Sequence, residues 1–202
     1  MRTMIGNAAL VTILALPLCL APNAKASALN EKTTFTFNQP VEVPGQVLPA
    51  GTYVFKIADI QSDRDVVQIF NKSENHLYGT FLTIPDRALK QDGKSIINFR
   101  ERNANSPEAV KAWFYPEDRY AHEFVYPKTR AVALAKANNE NVPSMPDNLS
   151  ANTKEPAKTM NDASVTAMKQ APLKAEKPTG EEVTVIEVFP AAAQPTNASS
   201  KH

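Results

Sequence analysis

The chain has 202 residues, of which 43% are hydrophobic and 21% are charged, and its formal net charge is +1. A nearly neutral chain with interspersed charges lacks the basic surface that nucleic acids and anionic membranes attract. We therefore expect no nucleic-acid partner and no electrostatic binding to a membrane surface.

The first 26 residues are typical of a secretory signal peptide. Arg2 supplies a positive start, an apolar run covers residues 8–21, and Ala24-Lys25-Ala26 has the small–x–small pattern of a signal-peptidase site. We predict cleavage between Ala26 and Ser27 and a secreted protein, periplasmic or extracellular, without a remaining membrane span. An uncleaved anchor is the alternative, but the run is shorter than the roughly 20 apolar residues that cross a bilayer.

Signal cleavage would also change the chemistry available to the chain. It would remove Cys19, the single cysteine, so we expect no disulfide, thiol nucleophile or thiolate metal site in the mature protein. It would also remove Arg2 and Lys25 from the 22 basic residues, leaving 20 against 21 acidic residues, a net charge of −1.

Short runs with alternating apolar residues fill the stretch between residues 33 and 126. Residues 33–57 contain three such runs, separated by Pro44-Gly45 and by Leu48–Gly51, which have turn chemistry. Further runs follow at 66–71, 77–84 (ended by Pro85), 95–101, 110–115 and 122–126. A period of two indicates half-buried strands. We predict an all-β fold, an antiparallel sandwich or small barrel of about eight short strands.

The pattern changes after residue 128. Residues 129–140 contain strong helix formers behind a capping Thr129 and predict one C-terminal helix, which completes a β-sandwich domain at residues 30–140. Residues 141–202 hold one aromatic residue and seven of the sixteen prolines, a composition that predicts a low-complexity disordered tail. Residues 182–189 are β-branched and apolar, and they predict a strand that pairs within its own chain or adds to another molecule.

Four sequence blocks carry a resemblance to a known family. They read VLPAGTY, VQIFN, AWFYP and HEFVYPK, in chain order. Over residues 33–140 the chain resembles a family of small, uncharacterised proteins secreted by soil bacteria. The resemblance implies export and a β-domain, and it supplies no reaction, ligand or partner.

The densest aromatic cluster contains Trp113, Tyr115 and Tyr120. The strand period places Trp113 and Tyr115 opposite Phe114, so a core position for Phe114 would leave the other two exposed. Such a patch can stack on a sugar or on a partner's side chain. The alternative is that the helix at residues 129–140 covers Trp113.

Three carboxylates, Asp59, Asp63 and Asp65, gather in one loop and are weak candidates for binding a hard cation such as calcium. The spacing of an EF-hand is missing, and aspartate is common in solvated strand connections. We therefore expect no bound metal and no cofactor.

His122 and Glu123 suggest acid–base or zinc chemistry, but neighbouring strand residues point to opposite faces and cannot easily act together. The other histidine of the domain, His76, lies in a turn without the spacing of a zinc site. The sequence also has no G-x-S-x-G elbow and no glycine-rich phosphate loop, so we expect a protein that is not an enzyme.

The leading hypothesis is an exported, non-enzymatic binding or structural module of the cell envelope. Its partner would be an envelope protein or a polysaccharide, bound through a sheet edge, the aromatic patch or the tail strand. The alternative is a carbohydrate- or small-ligand-binding domain that uses Trp113, Tyr115 and Tyr120.

Overall fold

The computed structural model describes residues 31–61, 64–87, 94–101, 106–116, 120–149 and 159–193. The predicted signal peptide and its cleavage site at Ala26 and Ser27 lie outside these ranges. The described part of the chain forms two β-sheets and three helices.

The larger sheet has nine strands, β1 (Lys32–Phe37), β2 (Val41–Val43), β3 (Gln46–Leu48), β4 (Gly51–Ile60), β5 (Asp65–Asn71), β6 (Leu77–Arg87), β7 (Ile96–Arg100), β8 (Glu108–Phe114) and β9 (Tyr120–Phe124). The smaller sheet has four, β10 (Tyr126–Pro127), β11 (Val142–Met145), β12 (Lys174–Glu176) and β13 (Glu182–Thr184). The helices are α1 (Lys128–Asn138), α2 (Ala163–Lys169) and α3 (Val185–Val188), and short 3-10 turns cover Asp147–Leu149 and Pro190–Ala193.

The larger sheet runs in the order β1-β4-β5-β6-β9-β8-β2-β3, with β7 also paired to β8. The prediction of a mostly β fold is confirmed, but the sheet is mixed rather than purely antiparallel, because β2 and β8 run parallel. The sheet curls until Phe37 of β1 meets Phe99 of β7, with 5.9 Å between their ring centroids. No ladder joins the described parts of β1 and β7, so the predicted barrel does not close.

Local turn and strand chemistry explains two features of this sheet. Gly45 has φ 85°, which only glycine adopts without strain, and it turns β2 into β3 as the Pro44-Gly45 pair predicts. The prediction that Pro85 ends its strand is wrong, because β6 continues to Arg87 with Pro85 opposite His122 of β9. The β5–β6 ladder stops at Thr83, so Pro85 lies where β6 pairs on one side only, a position that tolerates a residue without an N–H group.

Both faces of the central strands are buried. The neighbours Val66 and Val67 of β5 belong to different apolar clusters, and so do Phe81 and Leu82 of β6. The first cluster also contains Trp113 and three residues of α1, namely Ala131, Leu134 and Ala135. The second cluster joins the sheet to residues after 140, among them Met145, Met168, Ala175, Val183 and Phe189. Two buried faces require cover on both sides. On the first face the strands of the curled sheet pack against one another and against α1, and residues after 140 cover the second face.

The predicted C-terminal helix is present as α1, but the expectation of a single helix is wrong. Helices α2 and α3 lie within the stretch that the sequence predicts to be disordered. None of the described helices is long and apolar enough to cross a membrane.

The predicted disorder of residues 141–202 is wrong for the described residues 142–149 and 159–193, which fold against the sheet. Val165 and Met168 of α2 are buried, and Arg64 Nη1 donates hydrogen bonds to the carbonyls of Lys169 (2.9 Å) and Ala171 (3.0 Å). Apolar residues are sparse in this stretch, but several of them, including Met145, Met168 and Phe189, meet the apolar second face of the sheet. Burial at this face offsets the conformational entropy that the segment loses on folding. The composition alone predicted that this entropy loss would exceed the gain from burial.

The predicted strand at residues 182–189 is present only over Glu182–Thr184. These residues pair antiparallel with β12 of the same chain, and the next four residues form α3. Pairing therefore occurs within the chain, and the partner is the smaller sheet rather than an edge of the larger one.

Gly79 of β6 is buried where the ring of Phe81 leaves no space for a side chain. A Cβ at Gly79 would lie 2.8 Å from Phe81 Cε2 and closer still to its Cζ, whereas a Cβ at Gly51 would lie 3.4 Å from its nearest neighbour. We expect Gly79→Ala to lower the free energy of unfolding in urea by about 1–3 kcal/mol. Gly51→Ala is the control, and equal effects of the two substitutions would contradict this packing.

Phe189 is 6% exposed and Ile186, three residues earlier, is 61% exposed. We expect Phe189→Ala to reduce the free energy of unfolding by about 3 kcal/mol, because it empties a packed site. Ile186→Ala should change it by less than about 0.5 kcal/mol. Urea unfolding of both variants checks the fold of this segment, since a disordered tail would show no loss for either substitution.

Candidate functional site

A groove of about 570 Å³ lies between β7 and the C-terminal end of α1. Its volume is within the usual range for ligand sites. It is lined by Ile97, Asn98, Phe99, Arg100, Glu101, Lys111, Ala137, Asn138 and Glu140.

The groove follows the length of β7, since the five successive residues 97–101 all line it. Neighbouring strand residues point to opposite faces, so a groove that touches five in a row passes the edge of the strand as well as one face. Within the described residues β7 pairs only with β8. The backbone edge of β7 is therefore part of the groove.

Lys111 reaches the groove because of a β-bulge in β8. Asn98 is opposite Ala112 and the next residue, Phe99, is opposite Val110, so Lys111 is the extra residue of the bulge. A bulge redirects the side chain of the added residue. Lys111 Nζ lies 2.6 Å from Glu140 Oε2.

Glu140 is placed by the end of α1. Asn139 adopts the left-handed conformation with φ 52°, which ends the helix, and the N–H of Glu140 donates to the carbonyl of Ala135 (3.3 Å). The Glu140 carboxylate then lies between two cations, because its other oxygen, Oε1, is 2.7 Å from Arg100 Nε.

Arg100 is anchored beneath the groove. Its Nη2 lies 2.5 Å from Glu123 Oε1, and both side chains are fully buried. The guanidinium carbon also lies 5.8 Å from the ring centroid of Tyr126, a cation–π contact. The Tyr126 hydroxyl donates to the carbonyl of Val110 at 2.7 Å, which fixes the ring.

Burial raises the pKa of Glu123 well above its usual value; Arg100 opposes this rise, and a hydrogen bond with Asp86 adds to it. Two carboxyl groups can hydrogen-bond to each other only when one of them carries a proton. Three carboxyl groups, of Asp86, Glu123 and Glu140, accompany the two cations Arg100 and Lys111. These five groups form one electrostatic network beneath the groove.

The aromatic residues predicted to form a surface patch do not form one. Trp113 is 0% exposed and its ring lies 6.1 Å from that of Phe55 and 6.2 Å from that of Tyr115. Phe114 is buried in a separate small cluster, so both faces of β8 are covered and neither is the solvent side that the prediction assumed. Tyr115 and Tyr120 are half-buried.

Trp113 shares its cluster with α1 residues, as the alternative interpretation expected. Its indole Nε1 is buried without a hydrogen-bond partner among the described residues. The prediction that Trp113 stacks on a ligand at the surface is therefore wrong.

The loop carboxylates are divided between separate partners. Asp59 Oδ2 lies 2.5 Å from Lys169 Nζ; burial raises the pKa of Asp59, but Lys169 outweighs it and the pKa is lowered. Asp65 Oδ2 lies 3.0 Å from His122 Nδ1, and Asp63 lies outside the described residues. In the described part of the chain, no group of three His, Cys, Asp or Glu side chains could hold a metal ion.

The two neighbours in β9 contact different groups. His122 lies between Asp65 and Glu31, whose Oε2 is 3.6 Å from His122 Nε2, while Glu123 contacts Arg100. His76 packs edge-on against Tyr78, with 4.6 Å between ring centroids. The structure thus gives these residues no common site.

Sequence reasoning missed the three residues that form the groove's charged wall, Arg100, Lys111 and Glu140. The available signals were local and weak. Lys111 interrupts an apolar strand, and Glu140 follows an asparagine at the end of a helix. Neither signal predicts that the side chains of Lys111 and Glu140 contact each other.

Comparisons of the chain with protein-family models, with curated proteins and with solved structures gave no match. The resemblance to secreted soil-bacterial proteins therefore stays a prediction. An argument about function has to start from the groove and its charges.

The raised pKa of Glu123 predicts a pH dependence of stability. A carboxyl group with a raised pKa binds its proton more tightly in the folded state, so its contribution to stability falls as pH rises from the unfolded pKa through the folded one. We expect urea unfolding to show wild-type stability falling, relative to Glu123→Gln, as pH rises above about 4.3, the usual pKa of glutamate in an unfolded chain. Glu101→Gln, which removes an exposed carboxylate of the same groove, should keep the wild-type slope. Parallel pH profiles for wild type and Glu123→Gln would refute the assignment.

Proposed function

We propose that this chain is an exported, non-enzymatic binding module of the cell envelope that captures an extended polypeptide segment of an envelope protein along β7. The observation that carries the proposal is the groove lined by five successive residues of one strand edge. Export rests on the predicted signal peptide.

The groove offers what strand addition requires. An added strand takes its affinity from main-chain hydrogen bonds and its specificity from alternate side chains. β7 contributes its backbone edge, the half-buried Ile97 and Phe99 provide apolar contact, and the amides of Asn98 and Asn138 can donate and accept hydrogen bonds.

The walls of the groove are held before a ligand arrives. Buried ion pairs fix Arg100, and apolar packing fixes α1, through Leu134 and Ala135, on the opposite side. A preorganised site loses less conformational entropy when a ligand binds, and this increases the affinity.

Two carboxylates at the groove, those of Glu123 and Glu140, are poorly suited to acid–base catalysis. Glu123 has no contact with solvent, and Glu140 is held between Arg100 and Lys111. A general base must reach the substrate's proton, and neither group does so in this arrangement. This supports a binding role over a hydrolytic one.

The proposal is tested by filling the groove. Asn98→Arg should reduce capture of envelope proteins by the immobilised mature chain at least about tenfold, a loss of about 1.4 kcal/mol, because the larger side chain occupies the strand edge. Quantitative mass spectrometry of the captured proteins measures the effect. Val47→Arg is the matched control, since Val47 is 51% exposed on β3, away from the groove residues.

In the complex with the captured protein, backbone amides of residues 96–100 should exchange more slowly with deuterium than in the free chain. Capture that survives Asn98→Arg, or that protects only other strands, would refute strand addition at β7. Selective enrichment of polysaccharide in place of protein would refute the polypeptide partner.

A further inference from the structure

We propose that Arg100 and Lys111 form a carboxylate-binding site inside the groove, which Glu140 fills in the free chain and which an acidic side chain of the bound segment takes over. This inference rests on the proposed function, because it names the chemistry of the segment that β7 captures. Glu140 then acts as a competing internal ligand.

The contacts of Glu140 have the geometry of a bound carboxylate. Each carboxylate oxygen has its own cation, with Oε1 at 2.7 Å from Arg100 Nε and Oε2 at 2.6 Å from Lys111 Nζ. The Lys111 contact is a charge-assisted hydrogen bond, and the Arg100 contact is an ion pair without hydrogen-bond geometry; a ligand carboxylate can take the place of Glu140 in both.

Arg100 keeps its position without Glu140. Glu123 and the ring of Tyr126 hold the guanidinium of Arg100, while the β-bulge sets where the side chain of Lys111 leaves β8. Two nitrogens of Arg100, Nε and Nη1, are buried without a hydrogen-bond partner among the described residues, although Nε lies 2.7 Å from Glu140 Oε1. An arginine with unused donor capacity below a groove is suited to a ligand that brings acceptors.

Glu140 is the member of the cluster that can leave. Its side chain is 27% exposed, whereas those of Arg100 and Glu123 are fully buried. It follows the last turn of α1, so rotation of its side chain towards solvent moves no strand of the sheet. The apparent affinity for an external carboxylate is then reduced by the fraction of molecules in which Glu140 occupies the site.

The same geometry makes the groove selective for acidic segments. When Glu140 moves out, Arg100 and Lys111 require another carboxylate, since an uncompensated buried charge is costly. A neutral segment would leave this requirement unmet, and a basic one would add repulsion.

The test uses the full mature chain and two synthetic extended heptapeptides that differ only in having glutamate or glutamine at the centre. We expect Glu140→Gln to bind the glutamate peptide at least about tenfold more tightly than wild type does, by isothermal titration calorimetry, because it removes the internal competitor. The glutamine peptide should show no such gain. Lys111→Met in the Glu140→Gln background should abolish the gain in affinity for the glutamate peptide.

Glu101→Gln is the matched control, because it removes one negative charge from the same groove and leaves the contacts of Glu140 intact. Its gain should stay below about threefold, the size expected for a screened surface charge. An equal gain in Glu101→Gln, or an equal gain for both peptides, would overturn the inference. Thermal unfolding of each variant confirms that the fold is retained.

Failure of this inference is distinguishable from failure of the proposed function. If the wild type and every variant bind neither peptide, the carboxylate site is refuted, whatever envelope capture shows. If Asn98→Arg still abolishes capture of an envelope protein, strand addition at β7 stands without the carboxylate site. If Asn98→Arg leaves the capture unchanged, strand addition at β7 and the carboxylate site are both refuted.

Discussion

The buried ion pair between Arg100 and Glu123 is the interaction on which the rest of this structure depends. Arg100 lies on β7 and Glu123 on β9, and both strands pair with β8 between them, so one ion pair joins three strands. Removing one member of such a pair costs about 3–5 kcal/mol, because the other charge stays buried without compensation. Glu140 extends the network to the end of α1. The same charged residues therefore connect the floor of the groove, its helical wall and the centre of the sheet.

The second constraint is that the central strands bury both faces. One face, with Val67 and Phe81, packs in a cluster formed by other strands of the curled sheet and by α1, and the other, with Val66 and Leu82, meets the segment after residue 140. An apolar face left in water would be a large exposed patch, which single-chain proteins rarely carry. The apolar residues of residues 159–193 are few, but Met168, Val183 and Phe189 among them pack in the second cluster. This explains how a segment with the composition of a disordered tail is folded here.

The sequence alone predicted several local features of the fold. Period-two alternation located most strands of residues 32–127 to within a few positions but did not separate β1 from β2, and turn chemistry located the β2–β3 hairpin, because both signals depend on neighbours in the chain. It failed for Trp113 and Phe114, since alternation assigns a solvent face only when one face is polar, and both faces of β8 are covered. It failed for the tail because composition measures how many apolar residues a segment has, and not what they meet.

The groove could not be predicted because three separate features bring its charges together. A bulge that is defined only by pairing with β7 redirects Lys111, a left-handed Asn139 places Glu140, and Glu123, 23 residues from Arg100 in the chain, holds the guanidinium. In the proposed exchange, this combination lets the buried Arg100 pair first with Glu140 and then with a carboxylate of the bound segment. Exchange of the Glu140 carboxylate for one from a bound segment leaves the charge around Arg100 unchanged. In the proposed exchange, the ion pair that holds the sheet therefore has one carboxylate beside it both before and after the ligand binds.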